Sequence, residues 1–158
     1  MSTPVMEDYL RMLSQLVEYA PDVIFPSVAF PVAFRAAMAG LTLIQTDIVF
    51  TALDFARNVL TDDCLKPQLN ADPKLAMYAA AIRSVMEKEG MEFVGCLLTG
   101  VTGDFPEESA SSVVTIMRVI AEQWSSQLLS WLPVVLQQLP SATTPDQNKT
   151  TFLSDVTQ

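Results

Sequence analysis

The chain has 158 residues, half of them hydrophobic, with 18 acidic against 9 basic side chains and a net charge of −9. That is the size of one ordinary domain with enough apolar material for a core. The acidity, spread evenly along the chain, disfavours nucleic acid, whose phosphates call for clustered Lys and Arg, and favours a basic partner. Histidine is absent, which removes the Ser-His-Asp triad, the Cys-His pair and every His-ligand metal site.

The periodicity is helical throughout. Thr3-Pro4 opens a first helix through "PVMEDYLRMLSQLVEYA", with Leu10, Leu13 and Val17 on one face and Leu16 beside them. Pro21 and Pro26 break it. The next stretch, "VIFPSVAFPVAFRAAMAGLTLI" at 23–44, is long enough to span a bilayer. Pro26, Pro31 and Arg35 interrupt it, no basic cluster flanks it, and it starts too late for a signal peptide. Two packed helical segments explain it better, and the chain is expected to be soluble. The helix in "SVAFPVAFRAAMAGL" is started or kinked by Pro31, with Gly40 near its end.

A third helix is expected at roughly 46–60, capped by Thr46 or Asp47. It places Val49, Leu53, Ala56 and Leu60 on an apolar stripe widened by Ala52 and Val59, and Phe50, Asp54, Arg57 and Thr61 on a neighbouring face. Residues 61–73 form a polar connection carrying Cys64. Asp72-Pro73 restarts helix at "KLAMYAAAIRSVMEKE", which Gly90 stops or bends before "MEFVGCLLTGV". Pro106 with Glu107 and Glu108 opens "EESASSVVTIMRVIAEQW", where the helix dipole favours acids. "SSQLLSWLPVVLQQL" follows, with Ser125-Ser126 read as a cap. Thr144-Pro145-Asp146-Gln147 reads as a capping box for a short helix toward "FLSDV".

No segment looks like a strand. Helix pairs at 28–60, 74–102 and 107–138 recur near the roughly 40–47 residues of HEAT or armadillo arrays. The first helix is then left over from a preceding repeat, so the chain is expected to be a piece of a longer array. The reading is an all-α HEAT-repeat (α-α superhelix) solenoid of about three helix pairs plus terminal helices, with repeats at 1–140 and a short terminal helix or tail at 141–158.

Asp54 and Arg57, spaced i, i+3, form an ordinary intrahelical ion pair or face a partner. Trp124 and Trp131 share a face only if their helix is continuous through Ser125-Ser126, and core packing is the simpler role for both. The dispersed methionines read as core filler. Cys64 and Cys96 stand apart with no C-x-x-C, which points to structural thiols in a reducing compartment. With no Gly-rich phosphate loop, metal spacing or paired catalytic carboxylates, the expectation is a non-enzyme without cofactor or metal.

The stretches "FPSVAFPVAFRAAMAGLTLIQTDIVFTALDFARNVL", "GMEFVGCLLTGVTGDFPEESASSVVTIMRVIAEQWSSQLLSWLPVVLQQLP" and "TTPDQNKTTFLSDV" resemble, in collinear order, the C-terminal end of a nuclear import receptor of the importin-β (karyopherin-β) superfamily. The resemblance rests on pattern and order, since these stretches contain no short diagnostic motif. It implies that the second helix of each pair lines a concave cargo surface. It also implies a protein shuttling between nucleus and cytoplasm and carrying basic Arg-rich cargo of the Arg/Ser or Arg/Gly type. Ran-GTP would bind other parts of the full-length receptor, and no nucleic acid or membrane contact is implied. The arginine-rich helix with which such receptors grip phosphoserines is not matched at 47–63, which has Arg57 as its one basic residue. The candidate cargo-binding residues are Arg57, Asp54, Asn58 and Glu92, the carboxylates of Asp54 and Glu92 facing arginines and Arg57 facing any phosphate. The alternative is a scaffold or capping segment with no direct cargo contact.

Overall fold

The computed structural model describes residues 3–43, 45–66 and 72–138. They form helices α1 (Thr3–Tyr19), α2 (Pro21–Ile24), α3 (Ala29–Leu41), α4 (Thr46–Leu60), α5 (Pro73–Val101), α6 (Ala110–Gln123) and α7 (Ser125–Gln138). Short 3-10 turns at Asp63–Leu65 and Glu107–Ser109 flank α5 and α6, and there is no strand among the described residues. The expected tail at 141–158, with its capping box, lies outside them.

The chemistry at each helix start explains its position. In α5 the Asp72 carboxylate accepts a hydrogen bond from the Lys74 amide at 2.9 Å, and Pro73 occupies the first turn, where its missing N–H costs nothing. Pro31 likewise sits in the first turn of α3 and starts that helix rather than kinking its middle. The cap expected at Thr46 or Asp47 falls one residue earlier: Gln45 is the extended cap residue and makes no side-chain cap bond. Thr46 is already helical.

The helices stack in two layers. In one, α1 packs on α4 and α4 on α6; in the other, α3 packs on α5 and α5 on α7. Cross-layer contacts join α3 to α4 and α5 to α6. This is an all-α, HEAT-like arrangement of paired helices. The start-to-start step from Ala29 to Pro73 falls within the roughly 40–47 residues of such repeats.

One internal boundary differs from the sequence reading. Gly90 does not stop a helix: α5 runs unbroken from Pro73 to Val101. The unit expected at 74–102 is therefore a single long helix, whose cross-layer partner is α6. Glycine costs a helix interior about 1 kcal/mol relative to alanine, and the compensation here is tertiary. The Trp131 indole lies directly over Gly90, where any Cβ would collide with it. Nor do α6 and α7 form one helix. Trp124 leaves helical geometry at φ −130°, ψ 42°, so the two tryptophans sit on separate elements.

Between the layers lies one continuous core. Leu10, Leu13 and Val17 of α1 belong to it, as do Ile48, Leu53, Phe55 and Leu60 of α4, Phe93, Leu97 and Leu98 of α5, and Ile116, Met117 and Ile120 of α6. Phe34 of α3 and Phe93 of α5 stack edge to face at 5.1 Å, and Phe25 links Phe30 and Tyr78 at 5.0 and 5.3 Å. The exposed large apolar side chains are concentrated on α1 to α3, at Val5, Met12, Tyr19, Val23, Val28 and Val32.

Candidate functional site

The face of α4 follows from its buried stripe. Ile48, Val49, Ala52, Leu53, Phe55, Ala56, Val59 and Leu60 turn inward, which leaves Asp54 exposed and Arg57 and Asn58 half-buried. The Arg57 guanidinium donates to the Asp54 carboxylate at 3.2 Å, both side chains being about half exposed. An ion pair so exposed is worth about 0–1 kcal/mol. Elsewhere on this layer Arg11 is shared between Glu7 and Asp8.

Glu92 lies elsewhere. It projects from α5, in the other layer, beside a cleft of about 640 Å³ formed where the end of α3, the second half of α5 and the end of α7 meet. Asp54, Arg57 and Asn58 are not among its lining residues. The four candidate residues thus form two separate places: Asp54, Arg57 and Asn58 on α4, and Glu92 at the cleft.

Leu41, Met91, Phe105 and Val135 give the cleft apolar walls, Glu92 and Asp104 bring two carboxylates, and among the described residues no basic side chain lines it. A smaller groove of about 300 Å³ adjoins it and shares Thr42, Glu92 and Cys96. There Arg35 of α3 faces Glu89 of α5 at 3.6 Å. Cys96 is half-buried at the junction of the two hollows. Burial, reinforced by the Glu92 carboxylate, raises its thiol pKa above the ordinary value, so it is held neutral rather than activated.

Two arrangements escaped the sequence reading. Arg83 of α5 lies 5.7 Å from the Trp124 ring centroid and donates to the Gln123 side-chain oxygen at 3.2 Å, tying α5 to the end of α6. Its spacing from those residues carries no sequence signal. The cleft is the other, since it exists only where three helix ends converge. Among the described residues no group of three or more His, Cys, Asp or Glu side chains is placed to hold a metal ion, and no helix is long and apolar enough to cross a membrane.

No protein-family model matches the sequence. The chain is similar to Transportin MOS14 of Arabidopsis thaliana, 19% identical over 149 residues. That alignment covers 94% of this chain and 15% of the plant protein, so the chain spans about a seventh of the length of the relative it matches. Together with the two-layered helical stack, the similarity supports a distant relation to a transportin.

Proposed function

We propose that this chain is a cargo-binding section of a nuclear import receptor of the transportin-SR type. Its partners are basic, Arg-rich proteins of the SR or RGG class, and its location alternates between nucleus and cytoplasm. The observation that carries the reading is the similarity to a transportin along 94% of the chain. A net charge of −9 adds to it, because an acidic stack attracts arginine-rich segments and speeds their encounter. Ran-GTP is assigned to other parts of a full-length receptor.

In this reading Asp54 and Glu92 meet arginines, Arg57 meets a phosphate where the cargo carries one, and Asn58 contributes beside them on α4. Phosphate selection normally draws on several charge-assisted arginine contacts. Arg57 is already committed to Asp54, so recognition through carboxylates is the stronger expectation. The same ion pair favours a second reading, a scaffold segment that closes the stack without touching cargo.

Binding of a fluorescent Arg/Ser-rich peptide, phosphorylated and unphosphorylated, at low and physiological salt, tests these readings with Arg57→Ala beside the parent chain. Preferred, salt-sensitive binding of the unphosphorylated peptide is expected. A preference for the phosphopeptide that Arg57→Ala abolishes would assign phosphate reading to Arg57. Binding of neither peptide would leave the scaffold reading.

A further inference from the structure

We infer that the cleft between α3, α5 and α7 is a docking site for an apolar side chain flanked by arginine or lysine in a partner protein segment. The inference deepens the proposed function and rests on it, since it names where on this chain a basic segment would be anchored.

The glycines within α5 carry the argument. At Gly90 the space a side chain would fill is taken by the Trp131 ring, and at Gly100 by the Phe105 ring. Gly95, between them, has no such plug: a Cβ there meets only the Val135 methyls, at 3.9 and 4.0 Å. The cleft opens at this third position, with the α5 backbone bare at Gly95 and Met91, Leu41 and Val135 around it. The apolar hollow of about 640 Å³ left by the described residues has room for a large hydrocarbon or aromatic side chain.

Charge selects what flanks that side chain. Among the described residues, Glu92 and Asp104 are the charged ones lining the cleft. The neighbouring Arg35 is neutralised by Glu89 at 3.6 Å. An acidic or phosphorylated segment would be repelled, whereas a segment with arginine or lysine on either side of its apolar residue gains both burial and ion pairing.

Two readouts locate binding. Two matched fluorescent peptides, arginine-rich with a central leucine or a central alanine, are titrated against the chain by anisotropy. Cys96 alkylation is followed in parallel, with the fully buried Cys64 as an internal reference. The leucine peptide is expected to bind about tenfold or more tightly than the alanine peptide and to slow Cys96 alkylation. Gly95→Leu, which projects a side chain into the hollow without displacing a ring, is expected to abolish the leucine preference. Glu92→Gln is expected to weaken both peptides equally, and it leaves the hollow open, so it serves where Gly95→Leu perturbs folding. Equal binding of both peptides with an unchanged Cys96 rate would overturn the cleft as the site while leaving the basic-partner reading intact. Binding of neither peptide would overturn both.

Discussion

The indole of Trp131 occupies the space that a side chain at Gly90 would need. The two residues belong to different helices of the same layer, and each explains the other. The glycine admits the ring, and the ring makes a glycine in mid-helix worth its cost. Gly90→Ala pits overpacking, about 1–3 kcal/mol unfavourable, against roughly 1 kcal/mol of improved helix propensity. A net loss of stability in urea denaturation is expected. In a Trp131→Ala background the ring is gone, and the same substitution should become stabilising by up to about 1 kcal/mol.

Gly95→Ala should behave oppositely in the parent chain. Its Cβ would rest at ordinary contact distance from Val135, so only the propensity gain remains, about 0.5–1 kcal/mol. The denaturation midpoint should rise with an unchanged slope. A fall would mean that α5 and α7 approach more closely at this point than the geometry gives.

Arg57→Ala is expected to change stability by less than about 0.5 kcal/mol, because the pair with Asp54 spans one exposed helical turn. The small difference should shrink further in high salt. A loss above about 1 kcal/mol would show that the guanidinium is held by more than Asp54.

The thiols set a pH dependence. Burial and then the neighbouring Asp62 carboxylate push the Cys64 pKa well above the ordinary value, and Cys96 is raised in the same direction. Above about pH 9, where an unhindered thiol ionises, the unfolded chain therefore holds fewer protons than the folded one. Stability must fall as pH rises through this range. Urea titrations between pH 8 and 10.5 should show that decline. It should be shallower in Cys64→Ala, whose cavity lowers stability at every pH but removes one of the two linked protons. An equal slope in both chains would locate the effect in other groups.

Much of the fold was legible because it depends on local pattern. The stripe Leu10, Leu13 and Val17 predicts its own burial, and Asp72-Pro73 marks the α5 start through a cap that spans two residues. What failed to show was whatever depends on distant residues. Gly90 reads as a stop because the partner that stabilises it stands forty-one positions later. Likewise, the stripe of α4 places Asp54 and Arg57 together, but only the layering separates them from Glu92. The cleft has no motif. It is a gap left by three helix ends, and gaps are not written in periodicity.

The layering also bears on how such a chain is made. Each helix settles mainly on one or two others close to it in sequence: α4 on α1 and α3, α5 on α3, α6 on α4 and α7 on α5. Partners a few tens of residues apart carry only a modest loop-closure cost. A nascent chain can thus lay down each helix against a surface already built, well before synthesis ends. Growth by accretion of this kind shortens the time for which an apolar helix face waits for its partner, which is the usual opening for misassembly.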